Sequence, residues 1–474
     1  MIEYNMKIWN KEKLGKEIVF DVETNVAPFH TRDHKLVVFQ AYDGGDTAYL
    51  VRLKDVKFFF NKHSASKFIA HNAKFDLGVL EKHIGKEMIT ELFEENRIRD
   101  TKILFSLYQI AALGFTPSFK ESSLKSICKR LLNRDIEKNA DIRLTFDQFL
   151  GKEYEDMNTD HLKYALDDVV HTFDVYCKLL PMIKPHDELG TLLSHDIQIK
   201  GDWAIDQMVK NGIGIDRDAV VTCENKLNEK LEIYKEKLAM WGYVQGKPGI
   251  RGIFEGILEK LGIANMLPRT ETGQIATGAE DLEPYFDLPF LSEYVAYQQT
   301  NKNLNFLKPL NAKVIHPRYN YMVNTNRTSC SAPNFQNLPK ITEIRECFVP
   351  KNKENIFIDI DYNAIELAAL AQINITNQGY SKMGDLINSG QDLHTYFAGK
   401  INNKDVGACT KEDKGDITKD ERQFAKVFNF GLGANMGADT FVDYAKPQGI
   451  TLTSEESQDL KNLWIETFPE METF

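Results

Sequence analysis

The run EIVFDVET, residues 17–24, constrains this chain more than any other feature: an apolar strand-like stretch that ends in acids. Side chains two apart on a strand point to the same face, so Asp21 and Glu23 share one. Alone, such a pair reads either as solvated acids at a strand terminus or as part of a metal site. Two later stretches carry matching chemistry. His71-Asn72-Ala73-Lys74-Phe75-Asp76 follows the apolar FIA, and Tyr164-Ala165-Leu166-Asp167-Asp168 falls in a helical pattern. Tyr164 and Asp168 stand four apart there, so a phenol and a carboxylate share a helix face. Asp167 points elsewhere and reads as a surface acid.

The surrounding pattern alternates strands and helices from Glu17 to about Leu180. KLVVFQAYD and DTAYLVRL continue with strand-like residues, and KFIAHNAKFDLGVLEKHI turns from an apolar start into helical spacing. HLKYALDDVVHTFDVYCKLL carries Leu162, Leu166, Val169, Val170 and Phe173 at the spacing of one buried helix face. Strands followed by helices predict an α/β layer domain. Pro181 to Pro185 mark a linker. Residues 217–245 form a long charged helix, either solvated or an arm against a duplex. From about 313 to 376 strands and turns return. From Asp392 onward the pattern is mostly helical, with a capping box at Thr453 and Glu456.

At 474 residues, and about 150 per domain, the chain has room for roughly three domains. No apolar run approaches the ~20 residues of a membrane span, and the start MIEYNMKIWNKEK lacks a signal-peptide core, so the chain reads as cytosolic, with no membrane partner. Its six cysteines are scattered without a CxxC pair and read as reduced thiols. A net charge of −11 argues weakly against nucleic acid, because binding depends on where charge sits and a nuclease carries its own carboxylates.

The three acidic stretches, in this order, resemble the DEDD exonucleases. The match is to the subclass with tyrosine in its last motif, as in the proofreading domains of family A DNA polymerases. The resemblance implies that Asp21, Glu23, Asp76 and Asp168 hold two Mg²⁺ or Mn²⁺ ions and that Tyr164 orients the attacking water. Thr24 and Asn72 would line the site around the 3′-terminal nucleotide. Two such cations, about 3.5–4 Å apart, stabilise the attacking and leaving oxygens of an in-line displacement. Hard cations want oxygen ligands, which suits carboxylates.

The likeness to family A continues downstream. NTNRTSCSAPNFQNLP and IRECFVP resemble segments that contact primer-template DNA, which places Arg327, Asn334 and Gln336 there. IFIDIDYNAIELAALAQI resembles motif A: a strand would deliver Asp361 to two catalytic metals, and Glu366 would lie below the sugar. Asp359 would share the face of Asp361. ERQFAKVFNFG resembles motif B, with Arg422 and Lys426 for the triphosphate of a deoxynucleotide, Lys426 also catalytic, and Phe430 stacking on the base. His394, in DLHT, matches another triphosphate contact. Ala368 and Ala434 replace the family's usual arginine and tyrosine, which puts those roles in doubt.

The family's third motif, His-Asp-Glu, is not found beyond motif B. The string His186-Asp187-Glu188 lies before motif A without flanking apolar strands and is not that motif. A palm with Asp361 but no second aspartate cannot hold both metals in working geometry. The sequence therefore predicts a split polymerase completed by a second polypeptide, a truncated form being the competing explanation. The expected architecture is an α/β, RNase H-like exonuclease domain over 1–185, then a partial right-hand polymerase of α+β type. That part comprises a thumb region over 186–325, a palm segment over 326–376 and fingers over 377–474. A stand-alone exonuclease with a DNA-gripping remnant and a non-catalytic assembly subunit remain the other readings.

Overall fold

Strand β2, Glu17–Thr24, alternates as its sequence requires. Ile18, Phe20 and Val22 enter one apolar cluster, while Val19 enters a second. The computed structural model describes residues 3–27, 33–114, 121–136, 140–270, 272–323 and 327–473. Within it β2 lies inside a six-stranded sheet of order β1-β4-β3-β2-β5-β6. The other strands are β1 (Asn5–Ile8), β3 (Leu36–Tyr42), β4 (Thr47–Leu50), β5 (Lys67–Ala70) and β6 (Ile98–Asp100). β2 runs antiparallel to β3 and parallel to β5, and β5 runs parallel to β6. The parallel pairs need crossovers, and helices Ala73–Ile84 and Lys86–Glu94 supply the one between β5 and β6.

Helices Val56–Lys62 and Ala73–Ile84 pack into the cluster of Phe20 and Val22. Helix Thr159–Ile183 packs into the cluster of Val19 through Leu162, Ala165, Leu166, Val169 and Val170. By the alternation of the strand, Asp21 and Glu23 share the face of Val19 and therefore look toward that helix. Burying each leucine or valine of this seam contributes roughly 1.5–3 kcal/mol. Apolar packing thus sets where Tyr164 and Asp168 stand over β2.

Two expectations for this region change. Asp167 is half-buried and accepts a 2.7 Å hydrogen bond from the Tyr4 hydroxyl, which ties the chain start to the helix. The expected linker is helical: Thr159–Ile183 runs through Pro181, and a 3-10 turn covers Lys184–His186. Pro181 has no N–H for the carbonyl of Cys177, but Cys177 is exposed and water can replace the lost donor.

The chain divides into two compact units, Met1–Ile253 with Ser292–Ile356, and Phe254–Leu291 with Phe357–Phe474. In the first, helix Arg217–Met240 buries Val220, Cys223, Leu227, Leu231 and Leu238 along one seam, so it is a packed helix with a solvated back. Two small sheets complete this unit. Strands β7 (Ile213–Ile215), β8 (Val314–Ile315) and β11 (Phe348–Val349) form one; β9 (Arg318–Asn320) and β10 (Ser329–Ser331) form the other. The second unit is helical around Phe397, Phe428, Phe441, Trp464 and Phe468. Its helices Lys419–Gly433 and Ser454–Thr467 both open with capping boxes, the second at the expected Thr453 and Glu456. All six cysteines are free. No helix among the described residues is long and apolar enough to cross a membrane.

The strand expected at IFIDI does not form. Residues 355–362 pair with no strand among the described residues, and Ile356, Ile358 and Ile360 are 80%, 76% and 83% exposed. A strand exists only against a ladder partner, and the described residues offer it none.

Candidate active site

Asp21, Glu23 and Asp168 converge as the sequence pattern requires, with one carboxylate oxygen from each within 4.8 Å of the others. They line a cavity of about 680 Å³ together with Asp76 and Tyr164. Thr24 and Asn72 line it too. β2 supplies the first two acids, and helix Thr159–Ile183 supplies Tyr164 and Asp168 one turn apart. Asp76 stands outside the tight cluster of three. It is 2% exposed, and its Oδ1 accepts the Val22 backbone N–H at 3.1 Å. Burial, reinforced by the charge of Asp21, pushes its carboxyl well above the ordinary range, with backbone hydrogen bonds opposing.

The side chains are held from behind. Gln40 lies opposite Asp21 in the β2–β3 register, and its Nε2 donates to Asp21 Oδ2 at 2.8 Å. Asp100, at the end of β6, accepts from the backbone N–H groups of Asn72 and Ala73 at 3.2 and 2.7 Å. It also accepts from those of Lys102 and Ile103 at 2.8 and 3.3 Å. One carboxylate therefore satisfies the orphan donors of two helix starts. It fixes the left-handed turn at Asn72, φ 73°, from which the Asp76 helix springs. Lys102, also on the cavity wall, donates from Nζ to Asn72 Oδ1 at 3.0 Å. Burial pushes its ammonium below the ordinary range. Thr24 turns its hydroxyl onto the Asn25 carbonyl at 3.0 Å.

The polymerase-like residues are distributed over both units. In the first, Arg327 is exposed, Gln336 donates from Nε2 to the Thr328 hydroxyl, and Asn334 precedes the 3-10 turn Phe335–Asn337. In the second, Asp361 and Glu366 are exposed, Asp361 in the unpaired segment and Glu366 in the first turn of helix Ile365–Gln378. Helix Lys419–Gly433 aligns Arg422, Lys426 and Phe430 at four-residue spacing, with Lys426 Nζ 5.7 Å from the centroid of the Phe430 ring. Arg422 is not simply waiting for an anion: it holds Asp392 in a bidentate pair at 2.8 and 2.9 Å. Burial pushes the Asp392 carboxyl up, but its bonds from Arg422 and Thr395 outweigh this and hold it below the ordinary range. His394 lies beside them, 5% exposed, its ring 5.6 Å from that of Phe430.

Comparison with known proteins gives two profile matches. A 3′-5′ exonuclease family profile matches residues 3–184, and the profile of DNA polymerase family A matches residues 249–474. Residues 249–474 thus carry a family A polymerase domain and residues 3–184 a 3′-5′ exonuclease domain. Curated relatives of the chain include the DNA polymerase I of Borreliella burgdorferi, 25% identical over 98% of this chain and 49% of that protein. That of Aquifex aeolicus is 26% identical over 81% of this chain and 68% of that protein. That of Bacillus subtilis is 28% identical over 61% of this chain and 32% of that protein. The chain thus spans about a third to two thirds of the length of these relatives. A solved structure, the POL domain of Pol1 from M. smegmatis in complex with DNA primer-template and dNTP, matches with a TM-score of 0.67. It covers 97% of this chain and 74% of that one at 17% identity, a likeness of fold.

Gln40, Asp100 and Lys102 hold Asp21, the backbone at Ala73 and Asn72 in place, and the motif pattern misses all three. Gln40 carried a signal, a lone amide inside the otherwise apolar LVVFQAY. Asp100 and Lys102 flank a β-to-helix turn, and nothing local says which residues they hold.

Proposed function

We propose that this chain removes nucleotides from single-stranded 3′ ends of DNA as nucleoside monophosphates, as the proofreading part of a family A polymerase. The convergence of the Asp21, Glu23 and Asp168 carboxylates beside Tyr164 carries the reading. Three hard oxygen donors within 4.8 Å of one another on rigid elements suit Mg²⁺ or Mn²⁺. Asp21, Glu23, Asp76 and Asp168 would hold two ions, which when bound supply charge stabilisation to the attacking and leaving oxygens of a phosphoryl displacement. Tyr164, one helical turn from Asp168, orients the attacking water through its hydroxyl. Thr24 and Asn72 position the terminal nucleotide, and Lys102 sets a cation beside Asn72 for the substrate's phosphates.

The second half of the proposal is template-directed DNA synthesis on a primer-template by an assembled enzyme. Arg422, Lys426 and His394 would bind the triphosphate of a deoxynucleotide and Phe430 its base. Glu366 would check the sugar, and Arg327, Asn334 and Gln336 would contact DNA. Asp361 would hold the polymerase metals with a carboxylate from a second polypeptide, which also supplies strands beside IFIDI. The exposure of Ile356, Ile358 and Ile360 favours this reading. A stand-alone exonuclease or an assembly subunit would have no use for Asp361 and Lys426. The setting is the cytoplasm, where the template resides.

Incubation with a 3′-tailed oligonucleotide tests the first half. Mononucleotide release is expected with Mg²⁺ or Mn²⁺, none after chelation, and full recovery on adding metal back. Release that persists in excess chelator would overturn the metal assignment. Gln40→Leu is expected to slow release by roughly 10–100-fold, because a residue that orients a metal ligand typically matters by that factor. The loss should shrink as metal concentration rises, which a packing defect would not do.

A further inference from the structure

His394 is held by a chain of hydrogen bonds that leaves one choice of tautomer. The Trp464 indole N–H can only donate, and it reaches Asn429 Oδ1 at 2.9 Å. That contact fixes which way the Asn429 amide points. Its Nδ2 therefore faces His394 Nδ1 at 2.9 Å and the Leu393 carbonyl at 3.3 Å. An amide NH₂ has only donors to offer, so Nδ1 of His394 must present its lone pair. The proton of the neutral ring then sits on Nε2, for which the described residues supply no acceptor.

Charging the ring would place a second N–H against the Asn429 amide. Rotating that amide would strand the Trp464 N–H, and Asn429 and Trp464 are 0% and 3% exposed. The facing charges are Asp392 on the ring's own element and Arg422 and Lys426 on helix Lys419–Gly433. From helix Ser454–Thr467 the neighbour is the non-titrating indole. Burial pushes the His394 pKa down to about 4; Asp392 opposes the change, and Arg422 and Lys426 add to it.

We propose that Asn429, oriented by Trp464, is a positioning residue that locks His394 as an uncharged Nε2–H donor for the phosphates of an incoming nucleoside triphosphate. This rests on the nucleotide-binding reading of Arg422, Lys426 and His394. Lys426 provides attraction with little direction, and Arg422 has two of its donors on Asp392. A neutral N–H at a fixed angle provides direction and, being uncharged, the same contact across physiological pH.

The full chain labelled with ¹⁵N-histidine tests this. The His394 signal should report Nε2–H and stay unchanged between about pH 5 and 8, where an ordinary histidine titrates. Adding dATP with Mg²⁺ should shift Nε2 and leave Nδ1 nearly still. Asn429→Asp puts an oxygen opposite Nδ1, so His394 should gain a proton there and titrate. dATP affinity should then fall about tenfold from low to high pH, the loss of one hydrogen bond to a charged group, while the wild type stays flat. An Nδ1–H signal or ordinary titration in the wild type would overturn the lock, whatever the affinity for dATP. An Nε2–H signal that dATP does not move would instead overturn the nucleotide role of His394. Unchanged His394 behaviour in Asn429→Asp would remove Asn429 from the account. The wild-type measurements need no variant to fold.

Discussion

Asp21→Asn is expected to reduce Mg²⁺-dependent shortening of a 3′ single-stranded end by about 10³-fold or more while the fold is retained. The substitution keeps the shape of the side chain and removes one unit of negative charge from the cluster of Asp21, Glu23 and Asp168. A factor of ~10³ corresponds to about 4 kcal/mol of barrier, within what charge stabilisation by metal ions supplies. Folding should not suffer. Asp21 is one of the charges that push the buried Asp76 carboxyl up, so removing it relieves like-charge repulsion. The thermal midpoint measured in chelator should be equal to or above that of the wild type. Asp76→Asn is a poorer probe, because Asp76 also accepts the Val22 N–H and its loss would confound chemistry with folding. Wild-type cleavage by Asp21→Asn would sink the assignment of the cluster.

What could be read in advance follows the range of the interactions involved. Asp21 with Glu23, and Tyr164 with Asp168, are fixed by strand and helix periodicity, so their pairing was visible in the sequence. The helix seam of Leu162, Leu166, Val169, Val170 and Phe173 was visible for the same reason; the first four are buried, and Phe173 is half-buried against the same cluster. Long-range contacts were not. Nothing local marks Asp167 as the acceptor for Tyr4, or Asp100 as the cap of two helices. The run IFIDI shows the opposite failure: its residues favour a strand, but a strand requires a neighbour, and the described residues provide none. Arg422 was read as a triphosphate contact, and only the fold shows Asp392 against it. The cap at Thr453 and Glu456 was found because its four residues are contiguous; the equivalent cap at Thr418 and Glu421 has the same spacing and was available to the same reasoning.

Primer extension is expected to be undetectable with this chain alone and to appear when a polypeptide bearing palm strands and a second carboxylate is added. Strand alternation would put Ile356, Ile358 and Ile360 on one face of IFIDI, and Phe357, Asp359 and Asp361 on the other. Both faces stand in solvent: Ile358 is 76% and Phe357 60% exposed. Three isoleucines passing from water into a packed layer would contribute roughly 5–9 kcal/mol, enough to drive pairing of the strand with incoming neighbours. Pairing would also hold Asp361 still, which an unpaired segment cannot do. Ile358→Asp discriminates here, because it would bury an unpaired carboxylate only in the assembled enzyme. The variant alone should unfold within about 1 °C of the wild type, since the side chain is already in water. Its exonuclease activity should be intact and its rescue of extension lost. Asp361→Asn should instead assemble normally and fail only in synthesis. Robust extension by the unassisted chain would overturn this account of the palm, and rescue of Ile358→Asp at wild-type levels would show that IFIDI is not the strand being paired.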